Sequence, residues 1–438
     1  MVASSAAAWR RRFLLHPALV PLNHGSFGAC PAEVMDHVQA LQREAEADLS
    51  GHYAKVGERL AAARTRLAKA LDGEAASLAF VPNATTGVQV AVDSVPLQPG
   101  DEVLTTDLEY GACLAQWARR CAETGAVLRV VPVPLPLTEA GFTEALAAAL
   151  GPRTRVLFAS AVTSATALVL PLGPVMARAR EAGVTTVVDA AHAPGLPLQA
   201  GQPSFSLRRL DADFCTGNLH KWICAPKGAA FLHVNPRWHA RVRPPVASWG
   251  QVPRAAGAAV LGLDAITGSD ALQRALQWQG TRDLSAFLAV PAVLDWWRRH
   301  DPAEAAEAAE GFADAPGPAR QAARARALAL LDRHVKRWNE TPLAAPTHLG
   351  AMVTLPLPPW PGGPRGEPQA WTGEAAAALQ QRLRDDHGIV VPVTTHGGRA
   401  FIRVSGAVYV GEDDLQRLET AWPAASDAVF QTGPVHGR

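Results

Sequence analysis

At 438 residues the chain is too long for one small module; at roughly 150 residues per domain it holds two or three units, enough to bury a large core. Lys and Arg number 41 and Asp and Glu 40, leaving +1, with 18% charged and 48% hydrophobic residues. That balance is of a globular rather than a disordered chain, and it gives no net field to draw nucleic acid or an anionic membrane. Neither partner is expected.

The first fifteen residues, MVASSAAAWRRRFLL, hold three arginines, and no acid precedes Glu33. A transit peptide has that composition, but an N-terminal surface helix with a basic face is the better reading, because motifs begin by Leu22. Five cysteines (Cys30, Cys113, Cys121, Cys215, Cys224) are odd in number and widely spaced, with no C-x-x-C. Buried thiols in a reducing compartment are expected, not a zinc ribbon or disulfide framework.

Strands are predicted at Leu78–Val81, Glu102–Thr106, Val127–Pro132, Val156–Ser160, Thr185–Asp189, Asp213–Thr216 and Ala229–His233. Several are continuous β-branched runs, as in strands covered on both faces. Helical patterns fall between many of them, at Gly87–Ser94, Gly111–Thr124, Thr138–Leu150 and Pro174–Ala182. This rhythm predicts an α/β domain with a mostly parallel seven-stranded sheet covered by helices. Val156–Ala177 is uncharged over the length of a membrane span, but Pro171, Pro174 and four hydroxyl residues divide it. A buried strand, a polar loop and a helix start are expected there, in a soluble cytoplasmic protein, with Thr163 and Ser164 facing the ligand.

Pro244–Gly257 reads as a long loop, Asp301–Trp338 as Ala-rich helices around a loop near Pro316, and Pro356–Pro368 as an exposed connection. A helix at Glu374–Arg384 and strands near Ile389–Val393 and Ala400–Val404 follow. The expected organisation is an N-terminal segment (1–25) packing on the small domain, a large cofactor domain (26–290) and a small α+β C-terminal domain (291–438).

Three strand ends carry the chemistry. Phe80-Val-Pro-Asn83-Ala84-Thr85-Thr86-Gly87 is a strand, a turn of small residues and a helix start. Its N–H groups and hydroxyls favour a phosphate, without the lysine of a nucleotide-binding loop. Thr186-Val-Val-Asp189-Ala-Ala-His192 ends a buried run in an acid able to keep a ring nitrogen protonated. Asp213-Phe-Cys-Thr216-Gly-Asn218-Leu-His220-Lys221-Trp222 runs into a loop whose lysine can form a Schiff base. Taken singly, such residues also serve as helix caps, loop acids and solvated surface. Jointly, at the carboxyl ends of strands, they match the phosphate, pyridinium nitrogen and aldehyde of pyridoxal 5′-phosphate (PLP).

These stretches resemble the class V aminotransferase family of fold-type I PLP-dependent enzymes, most of all its isopenicillin N epimerase-like branch. The resemblance also rests on Leu22-Asn-His-Gly-Ser-Phe-Gly28, Gly100-Asp-Glu-Val-Leu104, Glu109-Tyr-Gly-Ala112 and Ala225-Pro-Lys-Gly228, with weaker matches at Gly280-Thr281 and Arg403-Val-Ser405. It implies Lys221 as the Schiff-base lysine, Asp189 as the acid on the ring nitrogen and His192 beside the phenolic oxygen. Ala84, Thr85, Thr216 and His220 become phosphate contacts, and Ser164 lies at the cofactor. Tyr110 is the candidate for the ring stacked on the cofactor, a core tyrosine being the other reading. Thr281 would reach a partner subunit's phosphate, implying a homodimer. Arg403 would grip the substrate carboxylate, and Asn23 and His24 would line the substrate entrance.

Two departures stand out. Asn218-Leu219 enlarges the lysine loop relative to cysteine desulfurases, which puts Thr216 in doubt. Val391–Arg403 contains no cysteine, which disfavours a persulfide-forming desulfurase. The resemblance implies proton removal from Cα of a small amino acid. Epimerisation comes first, on branch resemblance alone, with Tyr110 or His24 as the second acid. A C–S β-lyase, an aminotransferase and a non-catalytic relative are the alternatives. No metal is expected.

Overall fold

In a computed structural model, residues 5–198, 205–251, 270–302, 316–359 and 370–432 are described. Seven strands form one sheet: β1 (Leu78–Val81), β2 (Glu102–Thr106), β3 (Val127–Val131), β4 (Thr154–Ser160), β5 (Thr185–Asp189), β6 (Phe214–Asn218) and β7 (Ala230–Val234). Their order is β1-β7-β6-β5-β4-β2-β3, parallel throughout except that β7 runs antiparallel to both neighbours. Alternate residues feed two cores, one on each face. Phe80 and Leu157 enter one, and Val81, Val156 and Phe158 enter the other. Each fully buried Phe contributes roughly 1.5–3 kcal/mol. Covering on both faces explains why several strands read as unbroken apolar runs, whereas the edge strand β3 leaves Val127 and Val130 exposed.

Two helices bring chemistry to the sheet's carboxyl edge. Helix α1 (Ala84–Ser94) starts three residues after β1, capped by Asn83, whose side chain accepts from Thr86 N at 2.8 Å. Gly87 lets it lie against β6: a Cβ there would stand 2.1 Å from Thr216 Oγ1. Helix α2 (Gly111–Thr124) buries Cys113, Trp117 and Cys121, one face at four-residue spacing.

Farther along, β8 (Met352–Pro356), β9 (Val393–His396) and β10 (Arg399–Ser405) form an antiparallel sheet in the order β9-β10-β8. Val20–Pro21 pairs in parallel with Ile389–Val390, tying the N-terminal segment to this region. The Ala-rich pattern gives a helix at Pro318–Trp338. Its earlier part, 303–315, lies outside the described residues, as do 252–257 of the Pro/Gly loop and 360–368 of the later connection. The uncharged stretch divides as expected: strand β4, a loop, and a helix from Leu172 to Glu181. Among the described residues no helix is long and apolar enough to cross a membrane. All five cysteines are free and buried.

Candidate active site

Strand ends and the start of α1 enclose a cleft of about 280 Å³. Its walls carry Ala84, Thr85, Tyr110, Ser164, Asp189, His192, His220 and Lys221, all singled out by sequence. Ser26, Phe27, Ser160 and Asn218 also face it.

Lys221 stands in the loop after β6, its Nζ 3.0 Å from His192 Nε2. Burial lowers its pKa to about 8, against the pull of Asp189, so a neutral amine is accessible near physiological pH. Burial and then the Lys221 charge hold His192 well below its ordinary pKa. The imidazole is therefore neutral: Nε2 accepts from the ammonium and Nδ1 carries the proton. That buried Nδ1 has no hydrogen-bond partner among the described residues.

Asp189, the last residue of β5, is buried and accepts from Ala191 N at 2.8 Å and Cys113 Sγ at 3.6 Å. Burial raises its pKa, countered by the Ala191 N–H and the Lys221 charge. Beside it in register is Ser160, which donates to Glu109 Oε2 at 2.5 Å, while Thr106 donates to Oε1 at 2.6 Å. Glu109 is buried, and desolvation lifts its pKa to about 7.

Arg403, on β10, is 3% exposed. Its guanidinium donates to Ser164 O and Ser26 Oγ, both at 2.5 Å, and to Asn23 Oδ1 at 3.2 Å. Burial lowers its pKa to about 10, leaving it charged. No carboxylate among the described residues pairs with it. A buried cation held by neutral groups alone is suited to an incoming anion.

Sequence expectations are displaced at Thr216, His24, Thr163 and Asn23. Thr216 is turned under α1 and donates to Phe231 O at 2.8 Å, outside the cleft walls. Strand β6 runs two residues beyond Thr216, so the same face reaches the cleft at Asn218, whose Oδ1 accepts from Ala84 N at 2.8 Å. His24 is buried behind the lysine and not at an entrance, with Nε2 3.0 Å from Lys221 O and Nδ1 2.6 Å from the Tyr409 hydroxyl. Desolvation lowers its pKa to about 3. Thr163 is buried and bonded to Thr166 and Leu168. Tyr110 is no core tyrosine: it is 47% exposed at the cleft. Neither Asn23 nor Arg403 is itself a cleft wall: both meet the cleft through Ser26, and Arg403 also through Ser164, while Thr281 is exposed and outside it.

The donor set suits PLP. A capped helix N-terminus with Thr85 and His220 offers phosphate contacts, Asp189 is a buried acid, Lys221 an amine of lowered basicity, and His192 Nδ1 an unused donor. Among the described residues no cluster could hold a metal ion.

The family model of class-V aminotransferases matches residues 28–310. The chain is 35% identical to isopenicillin N epimerase of Amycolatopsis lactamdurans over 96% of its own length and 98% of that protein. To isopenicillin N epimerase of Streptomyces clavuligerus it is 32% identical, over 95% and 97%. Its fold is similar to that of the cystine C–S lyase C-DES, with a TM-score of 0.72 at 21% identity, covering 94% of this chain and 98% of that one.

Proposed function

This chain belongs to the class V aminotransferase family of PLP-dependent enzymes, and from that premise we propose that it is an amino-acid epimerase. The observation that carries the reading is the order of groups across the sheet. Lys221 lies beyond β6 and Tyr110 beyond β2, and between them stand the ends of β5 and β4, with Asp189 and Ser160. Inversion at Cα needs a base on one side and an acid on the other, and the cleft has a proton-handling group on each flank. His24, buried and bonded on both nitrogens, is no longer a candidate for the second acid.

PLP, when bound, supplies an electron sink for the carbanion at Cα. Ala84, Thr85 and His220 would hold its phosphate, with Asn218 in place of Thr216. Asp189 would hold the proton on the ring nitrogen. Arg403 fixes the substrate carboxylate, so that Cα–H faces Lys221. Lys221 takes the α-proton while His192 accepts a hydrogen bond from its amine, and Tyr110 delivers a proton from the other flank. A homodimer with Thr281 at the partner's site, cytoplasmic location, and division into 1–25, 26–290 and 291–438 belong to the same reading. The pairing of Val20–Pro21 with Ile389–Val390 supports the division.

A panel of amino acids and cysteine conjugates in deuterated water tests the proposal. It predicts an inverted amino acid labelled at Cα. Pyruvate with ammonia would instead make the chain a C–S β-lyase, and a keto acid with pyridoxamine phosphate an aminotransferase.

A further inference from the structure

One segment of seven residues, Leu22–Gly28, touches both halves of the site. Leu22 O accepts from Ser405 N at 2.9 Å, and Gly25 N donates to Ser405 Oγ at 3.0 Å. Asn23 and Ser26 take two donors of the Arg403 fork. Gly28, at φ +69°, passes so close beneath the lysine loop that a Cβ would lie 1.7 Å from His220 O and 2.9 Å from Lys221 Cα.

His24 sits in the middle of this strap. The carbonyl oxygen of Lys221 can only accept, so the proton of the neutral imidazole is on Nε2, and Nδ1 accepts from the Tyr409 hydroxyl. The bonds run in one direction: Tyr409 O–H to His24 Nδ1, and His24 Nε2–H to Lys221 O. His24 and Tyr409 are buried, where an unmade bond is costly. Tyr409 follows Arg403 by six residues on the same run of chain.

We propose that His24 is a positioning residue, which fixes the main chain of Lys221 to the segment that carries Arg403, so that substrate carboxylate and reacting amine are held in one frame. The proposal rests on the reading of Lys221 as the reacting amine. It assigns His24 no proton transfer, because both its nitrogens are engaged.

Three variants separate this role from simple packing. His24→Phe keeps a ring and removes both bonds, His24→Gln returns an N–H near the Nε2 position, and Tyr409→Phe removes one hydroxyl. The substrate is the amino acid exchanging fastest in the deuterium panel. The second readout is the pH midpoint of the bound-PLP absorbance, which follows the lysine's placement independently of turnover. A displacement of the amine by a fraction of an ångström predicts about a tenfold fall in kcat for His24→Phe, KM within about twofold, and a shifted midpoint. His24→Gln recovers most of kcat and the midpoint, and Tyr409→Phe falls between. A folded, PLP-loaded His24→Phe with wild-type kcat and midpoint overturns the proposal, as does a His24→Gln no better than Phe in both. If His24→Phe does not fold, wild-type kcat and midpoint in Tyr409→Phe overturn it. A wild-type protein whose PLP absorbance does not depend on Lys221 refutes the underlying reading instead, and is recognised before any His24 variant is made.

Discussion

Gly87→Ala puts a methyl group where α1 crosses β6. The new Cβ would stand 2.1 Å from Thr216 Oγ1 and 2.6 Å from Thr216 Cβ. Carbon contacts settle near 3.5–4.0 Å, so the helix must lift by about 1 Å. Rotating Thr216 would clear Oγ1 at the expense of its 2.8 Å bond to Phe231 O, but would leave its Cβ in place. Overpacking of this kind costs about 1–3 kcal/mol, and the lost buried bond about 1 more, giving roughly 2–4 kcal/mol. Lifting α1 also draws Ala84 N from Asn218 Oδ1 and displaces Thr85 from the cleft wall. If this helix end seats the phosphate, PLP affinity falls about ten- to hundredfold, equivalent to about 1.4–2.7 kcal/mol. Absorbance titration of the apoprotein with PLP, beside urea unfolding, measures both effects. Adding Thr216→Gly clears the contacting atoms and predicts partial recovery. Wild-type PLP affinity in Gly87→Ala, with stability within about 0.5 kcal/mol, would mean that the close contact of α1 with β6 does not set the phosphate seat.

Three more outcomes follow from the charges. Burial brings the Lys221 amine to about 8, so the rate of PLP capture by the apoprotein rises about tenfold per pH unit below that point and levels above it; a rise continuing unbroken to pH 10 contradicts it in stopped-flow absorbance. Glu109, lifted from 4.5 to about 7, contributes stability that is present below pH 4.5 and lost as pH rises through 7, on the order of 3 kcal/mol. Glu109→Gln therefore flattens the pH dependence of urea unfolding between pH 5 and 8, and an unchanged slope tells against that burial cost. Arg403→Lys removes the fork while keeping a charge, and raises KM about ten- to hundredfold with a smaller change in kcat; an unaltered KM would mean the carboxylate binds elsewhere.

Most strands of the large sheet were legible because burial on both faces demands apolar runs, and all seven lie within two residues of their predicted bounds. The shift that mattered is in β6. Gly217-Asn218 does not look like strand, yet both residues pair with β7, and that extension moves the cleft contact from Thr216 to Asn218. Lys221, Asp189 and His192 were legible because a strand end places them. His24 was misread because its partners, Lys221 and Tyr409, are about 200 and 385 residues away, beyond the reach of local pattern. Ser26 and Ser160 carry no signal of their own. Glu109 had one, its place before Tyr110, but an acid in a loop looks solvated until the fold buries it. The helices Ala32–Ala47 and Leu49–Ala70 have helical spacing that the motif-led reading passes over.

PLP is proposed to work in this cleft through Lys221. The chain has only five lysines, Lys55, Lys69, Lys221, Lys227 and Lys336, so the claim can be tested at residue level. Reducing the PLP-loaded protein with borohydride and mapping its peptides by mass spectrometry is predicted to place one pyridoxyl group per chain on Lys221. A label on Lys227 or another lysine, or none after loading with PLP, would contradict the account.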